Sequence, residues 1–213
     1  MKKSCLLTTA FCLFFLMPVN AQFDKGKILT GVTSTINLQS VYGSELMALG
    51  FISTKHGSES DALKTTAFNL LPRAGYFVID NLAVGLDVVI SLCSEKSGDD
   101  YKDVTTTLAI GPFARYYYPL EKINTFFEVN SYFGTWKEKY TYGSSDYEDN
   151  YGLLMLGLGP GVTFPVCDCA FFDVMAGYSH VVWKDKDSEG DNKETSNGFG
   201  LKIGISIVLN SPK

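Results

Sequence analysis

The chain has 213 residues, 46% of them hydrophobic, with 18 basic against 23 acidic side chains and a formal charge of −5. That length suits one domain with a sizeable core, and the acidic balance argues against nucleic acid as a partner. Beyond the N-terminus no run of 18 uninterrupted apolar residues occurs. The nearest stretch, "GLLMLGLGPGVTFPV", is cut by glycines and two prolines, so no transmembrane helix is expected.

The first segment, "MKKSCLLTTAFCLFFLMPVNAQ", has two lysines, a short apolar stretch and then Val19-Asn20-Ala21 before Gln22. This predicts a secretory signal peptide over 1–21, cleaved after Ala21, followed by one domain over 22–213. A membrane anchor fits less well, because the apolar stretch is short for a span and no basic cluster follows it. Bulky Phe11 before Cys12 argues against a lipoprotein. Cleavage removes Lys2, Lys3, Cys5 and Cys12 and leaves 16 basic against 23 acidic residues, a formal charge of −7.

Eight segments of period two follow, over roughly 27–40, 65–78, 82–94, 103–118, 123–138, 150–166, 170–184 and 197–210. Three of their connections are tight: "IDN", "PLEK" and "CDC". The others read as long polar loops: 41–64, "SEKSGDDYK", "KYTYGSSDYEDN" and "KDKDSEGDNKETSN". Short turns at one end and long hydrophilic loops at the other predict an all-β, eight-stranded antiparallel up-and-down transmembrane barrel. A soluble eight-stranded barrel has similar connections, so the facing of the residues decides between them.

In the third segment the even positions, from Leu82 to Leu92, are all aliphatic, whereas the odd ones include Ala83, Gly85, Asp87 and Ser91. The sixth sets Leu154, Leu156 and Leu158 against Gly157, Gly159 and Gly161. The eighth sets Ile203, Ile205 and Ile207 against Lys202, Gly204 and Ser206. The second face is too small and too sparsely charged to be a solvated exterior. It suits a crowded lumen, which places the aliphatic face in lipid.

The inward parity collects Arg73, Asp87, Arg115, Glu128, Asp173 and Lys202, three positive and three negative. A turn centred near residue 80 sets Arg73 opposite Asp87, and one near 120.5 sets Arg115 diagonal to Glu128. All six lie roughly 13–20 Å above the short-turn end at the usual strand rise and tilt. An unpaired charge in a narrow interior is costly, so a compensated ionic cluster across the lumen is expected. Aromatic girdles are expected at Tyr76, Tyr116, Tyr118, Phe164 and Phe172 near the turns. Near the loops they are expected at Phe51, Tyr132, Trp136, Tyr151, Tyr178 and Trp183, some of which parity must turn inward.

"LPRAGYFVIDNLAVGLDV", "IGPFARYYYPL", "FFEVNSYFG" and "GLGPGVTFPVCDCAFFDVMAGYS" resemble the outer-membrane β-barrel domain family, of OmpX and OmpA-barrel architecture. The resemblance spans 23–210. It departs at "ISIVLNSPK", which ends aliphatic where such strands commonly end in an aromatic residue, and no domain of the peptidoglycan-binding kind follows. The resemblance implies an outer-membrane location, with outer-membrane lipid, lipopolysaccharide and the barrel-assembly machinery as partners. Fold alone does not give function.

A closed lumen and acidic, tyrosine-rich loops point to a non-catalytic barrel with an envelope-structural or surface-interaction role, meeting any extracellular ligand through its loops. The alternatives are a small porin-like channel and a lipid-modifying enzyme. The enzyme would need a His beside a Ser and a carboxylate. His56 lies in the first long loop, and His180 follows Ser179 on the opposite face of a strand. No cofactor is expected. The segment with Asp185, Asp187, Glu189 and Asp191 has the alternating acids of a calcium loop, but Ser196 stands where a closing Glu belongs, and a solvated hairpin is the simpler reading. Cys93, Cys167 and Cys169 are too few and odd for a disulfide framework; they read as structural or incidental, with a local Cys167–Cys169 bridge or a weak metal pair as the alternatives.

Overall fold

The computed structural model describes residues 23–37, 49–54, 63–97, 101–120, 123–142, 145–186 and 193–210. The predicted signal peptide, His56 and the calcium-loop residues Asp187, Glu189 and Asp191 lie outside them. Alternating aliphatic and small residues give strands β1 (Ile28–Asn37), β3 (Leu63–Ile79), β4 (Leu82–Ser97), β5 (Tyr101–Pro119) and β6 (Asn124–Tyr142). They continue as β7 (Ser145–Pro165), β8 (Ala170–Asp185) and β9 (Lys193–Leu209). Each pairs antiparallel with the next, and β1 closes the ring by pairing with both β9 and β3. A short strand, β2 (Leu49–Thr54), continues the stave begun by β1 and pairs with the upper part of β3. The first long connection is therefore not all loop.

The turns at the lower end are short. Asn81 closes the β3–β4 hairpin with a φ of 65°, a left-handed value that Asn tolerates better than most residues. The opposite end differs from the loop expectation. β6 and β7 stay paired up to Tyr142↔Ser145, and β4 and β5 up to Ser97↔Tyr101. Among the described residues, the segments expected as polar loops between β4 and β5 and between β6 and β7 are largely tall hairpins. Above the lipid both faces are wet, so the apolar alternation fades while Thr and Tyr still favour extended backbone.

Facing is unambiguous. Leu86 is 54% exposed and its neighbour Asp87 is fully buried; Ile205 is 54% exposed and its neighbour Ser206 is buried. Leu92, Leu108, Ile110, Phe127, Val129, Phe133, Leu156 and Leu158 are likewise exposed on the outer wall. An apolar exterior around a filled, polar-centred interior is the arrangement of a transmembrane barrel. Among the described residues no helix is long and apolar enough to cross a membrane.

Candidate functional site

The interior is layered. At the lower end Phe23, Phe77, Tyr117, Phe126 and Phe171 pack with Leu29 and Ala83 into one buried cluster. Phe23 precedes β1 and stacks on Tyr117 with ring centroids 3.9 Å apart, while its carbonyl accepts the Asn81 N–H at 2.7 Å. The chain entering the barrel thus corks its own floor.

The charged layer lies above. Arg73 and Asp87 are cross-strand partners, and the Arg73 Nε and Nη2 donate to the two Asp87 carboxylate oxygens at 3.0 and 2.7 Å. Arg73 Nη1 also reaches Glu128 Oε2 at 2.9 Å. Arg115 donates from Nε to Glu128 Oε2 at 2.8 Å and pairs with Asp173, whose other oxygen accepts the Thr163 hydroxyl at 2.6 Å. Lys202 Nζ donates to Glu128 Oε1 at 2.9 Å, and the Tyr132 hydroxyl donates to Asp87 at 2.9 Å. All six residues that parity placed inward therefore meet in one network of equal and opposite charge. One detail differs: Arg115 sits directly opposite Glu128 rather than diagonal to it, because the β5–β6 turn is centred one residue later than its sequence suggests.

Aromatic rings brace the two guanidiniums. Arg73 lies 4.3 Å from the centroid of Phe113, and Arg115 lies 3.9 Å from that of Phe126. Glycines make room for both rings. A Cβ on Gly85 would stand 2.8 Å from the Phe113 ring, and one on Gly161 would stand 2.2 Å from Phe126. These aromatic seats, like the Phe23 cork, escape a reading that follows charges only. The inward parity of Phe113, Tyr117 and Phe126 is the signal that finds them; Phe23 precedes the first strand and has no parity to read.

Above the charges, Leu71, Val89, Ala109, Tyr132 and Leu153 form a second buried cluster against Met155, Val181 and Trp183. A cavity of about 270 Å³ remains there, with Lys202 and Tyr132 among its lining residues. Four of the five lower girdle residues, Tyr76, Tyr116, Tyr118 and Phe172, are exposed on the outer wall, and Phe164 is half-buried. The upper girdle departs from the expectation. Tyr132 is buried in the lumen, and Trp183 packs against the inner cluster. Trp136 and Tyr151 are cross-strand partners on the inward parity, ring to ring at 5.0 Å. Tyr178 is exposed outside beside Phe199; of the Phe51 side chain nothing is described.

Toward the mouth, charge divides by face on every strand but β7, whose Asp146 and Glu148 face outward and whose Glu148 pairs with Lys137 and Lys139. Glu95, Asp103, Glu138, Asp149, Asp185 and Glu194 occupy inward strand positions, whereas Lys64, Lys96, Lys102, Lys137, Lys139, Lys184 and Lys193 occupy outward, exposed ones. Burial, then repulsion from Asp103 and a hydrogen bond to it, push the Glu138 carboxyl up to about 7. No group of three or more metal-ligating side chains comes together among the described residues. His180 is half-buried and shares Asn197 with Tyr178, and Ser179 turns to the Gly198 carbonyl instead.

No protein-family model matches the chain, and no curated protein matches it significantly. Among solved structures it is similar to Neisserial surface protein A (NspA), at 16% identity over 86% of this chain and 97% of that one, with a TM-score of 0.45. It is also similar to the outer membrane protein OprG from Pseudomonas aeruginosa, at 13% identity over 90% and 99% of the two chains, with a TM-score of 0.38.

Proposed function

We propose that this chain is a closed, non-catalytic barrel of the outer membrane that acts at the cell surface through its tall hairpins, in an envelope-structural or adhesive role. The observation that carries this reading is the double seal of the lumen: a neutral six-charge network resting on a five-ring aromatic floor. An eight-stranded interior has room for packed side chains and little else, and every member of the charge network has a partner on another strand. Ser179 and His180 point apart and form no nucleophile–base pair.

Export by the N-terminal segment and insertion by the barrel-assembly machinery belong to this reading, as does a lipid partner bearing phosphate, which the outward lysines suit. Planar-bilayer recording of the refolded protein tests it. The expected result is no stable conductance step at any voltage that the bilayer tolerates. Reproducible single-channel steps would replace it with the porin-like alternative.

A further inference from the structure

Between β7 and β8 the chain turns through Val166, Cys167, Asp168 and Cys169. The turn is firmly held. Val166 and Cys167 both donate their N–H to the Ala170 carbonyl, at 2.8 and 3.1 Å, and Val208 on β9 donates to the Cys169 carbonyl at 2.8 Å. On this fixed backbone both cysteines are exposed free thiols.

The two sulfurs are not equivalent. The Cys167 sulfur accepts the backbone N–H of Cys169 and of Ala170 and is hydrogen-bonded to the Cys169 thiol. These donors favour its thiolate and pull it below the ordinary thiol range, while the same contact with Cys167 holds Cys169 up. One sulfur is thus set up as a nucleophile, and a second, protonated one waits within hydrogen-bond reach. A structural bridge is a poor explanation for the pair. Closing a loop around one residue removes little chain entropy, and the turn is already tied to β9.

We propose that the Cys167–Cys169 turn is a thiol–disulfide exchange site for disulfide-bearing proteins or peptides on the short-turn side of the membrane, with Cys167 attacking and Cys169 resolving. In the first step the Cys167 thiolate attacks one sulfur of the partner's disulfide. A mixed S–S bond forms, and the partner's other sulfur leaves as a thiolate. Cys169 then gives its proton to solvent and attacks Cys167 Sγ. The partner's remaining sulfur leaves as a second thiolate, and a Cys167–Cys169 disulfide remains. The partner's disulfide is reduced by two electrons, and the pair is oxidised by two. The exchange is reversible, so the Cys167–Cys169 bridge presented with a dithiol is reduced as the partner is oxidised. The outer-membrane reading enters only in naming which compartment the turn faces.

Oxidised glutathione serves as the probe, added to the folded, reduced protein in lipid vesicles. Every protein carries Cys93→Ser, since Cys93 lies at the far end of β4. Products are quenched in acid and located by peptide mass mapping. The expected product is the Cys167–Cys169 bridge with reduced glutathione released. Cys169→Ser should stop at a single glutathione on Cys167, and Cys167→Ser should react about tenfold more slowly at Cys169. Equal rates in the two single variants, or a doubly glutathionylated protein with no bridge, would overturn the assignment. The chemistry is read in purified protein, so its failure leaves the closed-barrel reading standing, and conductance would leave the thiol chemistry standing.

Discussion

Glu128 touches every cation of the charged layer: Arg73, Arg115 and Lys202 all place a nitrogen within 3.0 Å of its carboxylate. Removing its charge leaves three cations facing two carboxylates in a sealed interior. The cost of breaking a buried network by removing one partner is about 3–5 kcal/mol. We therefore expect Glu128→Gln to lower unfolding stability in lipid vesicles by about that amount, measured by urea titration of tryptophan fluorescence. Adding Lys202→Met restores neutrality and should recover part of the loss, a coupling that a double-mutant cycle isolates. Equal destabilisation by the single and double variants would show that charge balance is not what holds the layer. At this scale the sequence was informative wherever parity applies. A lone acid or base among glycines and alanines has one destination: two hairpin centres paired four of the six, and parity with height above the turns added Asp173 and Lys202. It was silent on which oxygen meets which nitrogen, because one residue of slip in the β5–β6 turn moves Arg115 from a diagonal to a direct position.

The upper halves of β5, β6 and β7 behave differently from their lower halves. Below Phe133 the strands alternate between lipid and lumen; above it β5 and β6 set lysine outside and carboxylate inside, while β7 turns Glu148 outward against Lys137 and Lys139. Glu138 is set directly against Asp149 across the β6–β7 ladder and hydrogen-bonds Asp103 on β5, with Glu95 opposite Asp103 in turn. Its folded pKa of about 7 lies above the ordinary Glu value, so the folded state holds the proton more tightly than the unfolded chain. The resulting stabilisation is fully present below about pH 4.3 and is lost as pH rises through 7. The melting temperature in vesicles should accordingly fall between about pH 5 and pH 8, and Glu138→Gln should flatten that slope. An unchanged slope in the variant would assign the effect to other carboxylates. These extensions are where the sequence reads as loop. Strand signals rest on one dry face, and with water on both sides "KYTYGSSDYEDN" keeps only the weaker signature of Tyr and Thr. The upper aromatics misled for a related reason: Trp136 and Trp183 stand at girdle height but on the inward parity, and height alone does not select lipid.

Seen whole, the outer wall is banded. A tyrosine and phenylalanine rim surrounds the lower end, an aliphatic belt follows, and a crown of lysines stands above. Within that crown Lys64, Lys96 and Lys102 are consecutive cross-strand partners on β3, β4 and β5, and Lys184 faces Lys193. Like charges placed directly opposite one another weaken a sheet, so an anion lying along the row would relieve a repulsion built into the register. The height of the row, just beyond the aliphatic belt, is the height of lipid headgroups. Attraction between a basic side chain and an anionic membrane surface is worth about 1 kcal/mol per residue. In vesicles of zwitterionic lipid the triple substitution Lys64→Gln, Lys96→Gln and Lys102→Gln should leave stability unchanged or raise it slightly. With a phosphate-bearing glycolipid such as lipid A in the vesicles, the parent protein should gain about 2–3 kcal/mol over the triple variant, and the gain should shrink as salt is raised. Two proteins that respond alike to the glycolipid would mean that the lysine row does not read phosphate, and the crown would then serve only to keep the tall hairpins in water.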